Sequence, residues 1–348
     1  MRVRLHPILL LLLLFLGACT PKEKDLYDPD AQNRRDEENQ LNSERSHAAK
    51  CLGTQFSADQ TWMMSRRHTV RLSYLPTDTD FDQLFVVTAD PLNEADKARI
   101  LVQEEGRMSS LTYESPNMLT TLYAVSRAST TGEAKVCPFN VSEGTADFRS
   151  ATSGAITSLA AQKYTYAFED TRAGDYDMND LVFRCWRDEG NKVYVQLMAV
   201  GSTNNMLLYF YDNVTRVAIP LFGAQEVHQL MELMGNGKSN YYNTSSLNAA
   251  NFPIDSIYVD ADFTFATAGF YVLNQDKNAQ VKLPASYDNP KGYAPFALCF
   301  PAEWQWPTEK TALNKSYTKF STFALLRQGG DDWYSTPVEG MVVALDQQ

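Results

Sequence analysis

The sequence predicts a mainly β protein: an N-terminal stalk, a small immunoglobulin-like β-sandwich, then a larger antiparallel β-sandwich or jelly roll with one or two short helices. Three observations predict it. Apolar residues alternate with polar ones over many short segments, as in Val70, Leu72 and Tyr74, which is the two-residue period of half-buried strands. Pro76, Pro91, Gly106, Pro116 and Gly132 punctuate the first set of segments as turn residues. Hydrophobic and aromatic contents of 44% and 12% supply enough material for two cores in 348 residues.

The chain opens on a different pattern. Arg2 and Arg4 precede an apolar run from Ile8 to Leu16 that is too short to span a bilayer comfortably, so residues 1–18 read as a signal peptide. Leu16-Gly-Ala-Cys19 resembles a bacterial lipobox, and cleavage before Cys19 with lipidation of its thiol is the expected outcome. Acyl chains on Cys19 would anchor the protein to a membrane leaflet. Residues 19–60 are charged at first and read as a stalk, with a helix over Asn33 to Ala49 that Asp30 caps.

Residues 61–141 carry the small sandwich, with strands expected near Val70–Tyr74, Leu84–Thr88, Ile100–Val102, Leu111–Tyr113 and Leu119–Val125. Small polar residues make 142–158 a linker. Residues 159–348 form the second β domain. Its strands begin at Tyr164, and a helix is expected over Gln225–Met234. A second helical spacing follows Pro307, through Leu313, Tyr317 and Phe320.

Between two of these strands lies the densest chemistry in the chain. Glu169, Asp170, Asp175, Asp177, Asn179 and Asp180 fall within one short stretch, and Asp175, Asp177 and Asn179 alternate. Short oxygen-bearing side chains at alternate positions are how a loop gathers ligands for Ca²⁺. The loop is not an EF-hand, because Asp180 stands where the sixth-position Gly is needed and no carboxylate stands at the twelfth. A solvated acidic turn, its side chains bonded to local backbone, is the competing reading.

Phe168-Glu-Asp170 followed by Gly174-Asp-Tyr-Asp-Met-Asn-Asp-Leu-Val182 resembles the signature of the LruC domain of bacterial outer-membrane lipoproteins. Asp25-Leu-Tyr-Asp-Pro29, Phe56, Gln60-Thr-Trp62, Trp304-Gln-Trp-Pro-Thr-Glu309 and Ser316-Tyr-Thr-Lys-Phe320 are similar to the Bacteroidetes members. Lys22-Glu-Lys-Asp25 resembles the tag that sends such lipoproteins to the outer face. The resemblance implies an outer-membrane lipoprotein facing the cell exterior with β-rich ectodomains, and it implies no reaction.

The remaining candidates are sparser. Trp304 and Trp306 share one face of an extended strand and, with Glu309 and Trp333, offer a surface on which a sugar could stack; the same spacing serves a core. Asp255-Ser-Ile257 fits a loose O-glycosylation pattern at Ser256. Cys51, Cys137, Cys185 and Cys299 are too widely spaced for a zinc ribbon, and buried free thiols are expected of them.

Net charge of −11, deepened to −13 by loss of Arg2 and Arg4, disfavours nucleic acid and favours cations. No HExxH, GxSxG or Walker pattern is present. The expected function is therefore non-catalytic: adhesion, or binding of a glycan or surface protein, with a Ca²⁺-stabilised acidic loop. A structural or assembly subunit of the envelope is the alternative, and a glycan hydrolase a more distant one.

Overall fold

The structure, a computed structural model, describes residues 29–75, 81–172, 174–188, 190–243, 251–284, 292–326 and 330–343. Cys19 and the expected leader lie outside them. The chain divides into a unit of residues 1–44 and a unit of residues 45–348. Helix α1 (Pro29–Leu52) supplies the described part of the first. It is longer than the expected Asn33–Ala49, and Pro29 at its start needs no amide partner there. No helix among the described residues is long and apolar enough to cross a membrane.

The second unit is mainly β, as expected. From Arg45 onward the segment expected as a stalk belongs to this second unit. Ala48, Leu52 and Phe56 are buried in the larger core, and burying Leu52 or Phe56 contributes roughly 2 kcal/mol each. Strands β1 (Ser65–Ser73), β4 (Ser110–Pro116) and β7 (Thr145–Asp147) form a three-stranded sheet in the order β4-β1-β7. The facing sheet holds β2 (Gln83–Val87), β3 (Arg99–Glu105), β5 (Thr121–Arg127), β6 (Glu133–Asn140), β8 (Thr152–Ala155) and β9 (Ala160–Ala161), in the order β8-β6-β5-β2-β3-β9. Val70, Leu72, Leu111 and Tyr113 from the first meet Leu84, Leu122, Ala124 and Phe139 from the second. The alternation that predicted these strands is the alternation that fills this core.

Residues 142–158, expected as a linker, instead complete both sheets. There β7 pairs in parallel with β1, and β8 pairs with β6. The small residues that suggested a linker serve close packing: a Cβ at Gly154 would meet Leu92 Cδ2 at 2.6 Å.

The larger sandwich packs a five-stranded sheet on a four-stranded one. The first contains β10 (Tyr164–Phe168), β11 (Leu181–Arg187), β12 (Lys192–Ala199), β15 (Ile254–Tyr258) and β18 (Ala297–Phe300), ordered β15-β12-β11-β10-β18. The second contains β13 (Met206–Asp212), β14 (Val217–Pro220), β16 (Phe270–Asn274) and β17 (Ala279–Lys282), ordered β14-β13-β16-β17. Tyr166 stacks on Phe183 at 4.8 Å, and Phe270 meets both edge-on. The expected helix at Gln225–Met234 shortens to α2 (Val227–Met231), capped by the Glu226 carboxylate. The later helical spacing breaks into α3 (Leu313–Ser316) and α4 (Phe320–Leu325). The four cysteines among the described residues are free thiols, three of them buried.

Glu114 joins the two sandwiches. It leaves β4, is 8% exposed, and accepts hydrogen bonds from Phe265 N–H at 2.6 Å, Ala266 N–H at 2.9 Å and the Ser65 hydroxyl. Burial raises its carboxyl above the usual range, and these donors partly oppose that. Removing the carboxylate orphans two backbone N–H groups in a dry joint. Glu114→Ala is therefore expected to cost about 2–4 kcal/mol in urea denaturation. Arg67→Ala breaks an exposed ion pair with Asp262 at the same joint and should change little.

Candidate metal centre

Strands β10 and β11 close on the pair Phe168 and Leu181, leaving residues 169–180 to form the connection. Because β10 lies between β11 and β18, its end is held on both sides. Glu169 N–H donates to Phe296 O at 2.9 Å, and Gly201 N–H donates to the carbonyls of Asn179 and Asp180 at 3.0 Å. Within the loop, Tyr176 and Met178 have φ of 60° and 54°. Left-handed backbone costs a residue with a side chain about 1–2 kcal/mol. Full burial of both side chains in the large core offsets it. The two buried apolar residues alternate with Asp175, Asp177 and Asn179.

The result is a convergence of oxygens. One carboxylate oxygen each from Glu169, Asp175 and Asp177 lie within 4.8 Å of one another. Ligands at 2.3–2.6 Å from a Ca²⁺ ion have about that spread. Glu169 is fully buried; its Oε1 accepts the Met178 N–H at 2.8 Å, and its Oε2 has no donor among the described residues. A Cβ at Gly174 would sit 1.8 Å from that Oε2, so only glycine leaves the oxygen its room. Asp177 Oδ2 accepts the Lys310 N–H at 2.7 Å. None of the five loop carboxylates forms an ion pair with Lys, Arg or His among the described residues.

The other three sequence candidates brace this cluster. Asp170 accepts hydrogen bonds from the Ser202 hydroxyl and the Asn204 amide. Asp180 Oδ2 accepts the Asp170 N–H at 2.8 Å. Asn179 donates from Nδ2 to Pro307 O at 3.1 Å, while its buried Oδ1, without a donor among the described residues, lies against Gly201. Ser202, Asn204, Gly201 and the Lys310 amide were not legible as site residues; of the supporting set, only Gly174, next to Asp175, carried a sequence hint.

The tryptophans are elsewhere than a sugar surface requires. Trp304, Trp306 and Trp333 are 2%, 0% and 0% exposed. Trp304 stacks on Phe300 at 3.8 Å, Trp306 donates its indole N–H to Asn243 Oδ1 at 2.6 Å, and Trp333 is ringed by Phe320, Phe323 and Tyr317. Their spacing served a core, and the stacking surface expected of them is not formed. Glu309 is exposed beside the acidic loop, where burial and then the Asp175 charge raise its carboxyl. Ser256 is half-buried in the edge strand β15.

Neither of two histidines near polar partners is arranged as a base. His47 Nε2 donates to Gly174 O at 2.9 Å, so it cannot accept the thiol proton of Cys51, 3.6 Å away. His228 spans the Glu226 carboxylate and Ser202 O, both at 2.7 Å. Burial lowers its pKa, and those acceptors outweigh that and raise it.

Fold and cluster together define a β-sandwich protein with a candidate site for a hard cation. Comparison with known proteins adds a partial match. Residues 259–334 match a domain of unknown function, DUF4842. No curated protein matches. A solved structure of a "putative lipoprotein" from Bacteroides ovatus aligns over 76% of this chain and 99% of its own, with 11% identity and a TM-score of 0.41. The comparisons show no LruC domain.

Burial, then the Asp175 charge, pushes Asp177 up to about 7. Burial, followed by the charges of Asp180 and Asp177, raises Glu169 well above the carboxylate range. The cation-free folded state thus keeps protons that the unfolded chain releases above about pH 4. Stability follows protons bound unfolded minus folded, which is negative here, so it falls as pH rises from about 4 to about 7. A cation competes with those protons. The stability difference between Ca²⁺ and calcium-free buffer is expected to widen between about pH 5 and about pH 8 in urea titrations. A constant difference would contradict this site.

Proposed function

We propose that the chain is a lipid-anchored protein of the bacterial outer surface that acts by binding a partner, with Ca²⁺ holding the β10–β11 loop in shape. The lipobox at Cys19 and the motif resemblance to LruC-domain lipoproteins support the address. One observation carries the mechanism: a fully buried Glu169 oxygen without a donor among the described residues, converging with Asp175 and Asp177. Carboxylates removed from water at such separation must be protonated or neutralised, and a divalent cation does the second. The glycan arm of the reading loses its tryptophans to the core, which leaves a protein surface as the favoured partner. Ile254 and Tyr258, 55% and 78% exposed on the edge strand β15, favour the envelope-assembly variant, since exposed sheet edges are sites of strand pairing.

The reading is tested by calorimetry on the full chain in detergent. Isothermal titration should show saturable Ca²⁺ binding, and Ca²⁺ at a hundredfold excess over Kd should add about 2.7 kcal/mol to stability. Asp177→Asn, whose amide oxygen can still accept the Lys310 N–H, should weaken the binding at least about tenfold and lose the Ca²⁺-dependent rise in Tm, while melting like the parent within a degree or two in calcium-free buffer. Equal melting of the parent protein in both buffers would leave a plain acidic turn.

A further inference from the structure

We infer that a cation in the acidic loop also fixes the end of α1 against the β body, so that the site acts as a clasp on the segment leading back toward the expected lipid anchor. This rests on the cation reading above and goes beyond it in naming what the cation controls.

The connection is made through the atoms that place the ligands. His47, in the last two turns of α1, donates from Nε2 to the Gly174 carbonyl at 2.9 Å. Gly174 directly precedes Asp175, and its Cα lies so close to Glu169 that a Cβ would reach 1.8 Å from Oε2. The peptide that receives the helix is thus wedged between two of the three converging carboxylates. The His47 ring also lies 6.2 Å from the ring of Tyr176, the residue between Asp175 and Asp177. Tyr176 in turn presents its carbonyl to Leu313 N–H at 2.9 Å. His47 is the donor in this contact, since a carbonyl oxygen can only accept.

Without a cation, nothing bridges Asp175 and Asp177 to Glu169, and any ionised pair among them repels, so the Gly174 carbonyl is free to move with Asp175. With a cation, the same carbonyl is held still. Ala48 and Leu52 are buried in the large core and hold the helix independently of the loop, so the cation governs local opening of the helix end and not its wholesale release. Local openings of that kind are read by amide exchange.

Hydrogen–deuterium exchange on the full chain in detergent tests the proposal, with Ca²⁺ at about 10 mM, above the Kd range of extracellular calcium modules, against calcium-free buffer. Amides of residues 47–53 should exchange about tenfold more slowly with Ca²⁺, and those of β5 and β6 should change much less. Asp177→Asn should remove the difference. His47→Ala should remove most of it at the helix while calorimetric Ca²⁺ affinity stays within about threefold. Equal exchange of 47–53 in both buffers, with Ca²⁺ binding seen by calorimetry, would overturn the clasp and leave the cation site standing. A uniform slowing across β5, β6 and the helix would also overturn it, as simple stabilisation by mass action. Absence of Ca²⁺ binding would overturn both.

Discussion

The mutual repulsion of carboxylates inside one desolvated hairpin connection is the constraint on which the larger sandwich depends. Two unit charges about 4 Å apart at an effective dielectric of about 20 repel by about 4 kcal/mol. A whole domain is stable by only about 5–15 kcal/mol. Glu169, Asp175 and Asp177 therefore cannot all stay ionised without a counter-charge, and among the described residues no Lys, Arg or His pairs with them: Lys163 and Arg184 serve Glu303, and Lys319 serves Asp332. The loop sits at the end of β10, the strand that bonds both β11 and β18. Disorder there would free Phe296, Leu313 and Lys310, whose backbone groups all bond the loop or its edge.

The two sandwiches solve the same problem of buried charge in opposite ways. Glu114 meets a full set of donors, so it is satisfied inside the protein and fixes one sandwich on the other. Among the described residues Glu169 meets one donor, which leaves its Oε2 without a partner. The first arrangement is what a structural joint looks like, and the second is what a ligand-binding carboxylate looks like.

The β class was legible because alternation reports burial directly, and the acidic loop was legible because its ligands are close in sequence. What was not legible depended on distant partners. Lys310 and Gly201 contribute backbone amides, which no side-chain pattern advertises. Trp304, Trp306 and Trp333 are spaced as a surface or as a core would be, and only the arrival of Phe300, Tyr317 and Phe320 decided between them. Residues 142–158 looked like a linker because they are small, whereas small residues were needed where Gly154 passes Leu92. The continuous helix expected after Pro307 fails at Lys310, whose φ of 61° turns the chain so that its amide reaches Asp177.

Tyr176 and Met178 set two demands on one stretch of backbone. Glycine would relieve their left-handed φ and leave holes in the core; any other residue of similar bulk keeps the core and inherits the strain. Substitution at these two positions is thereby confined to residues of similar apolar bulk, and each of them holds the chain in the same left-handed turn.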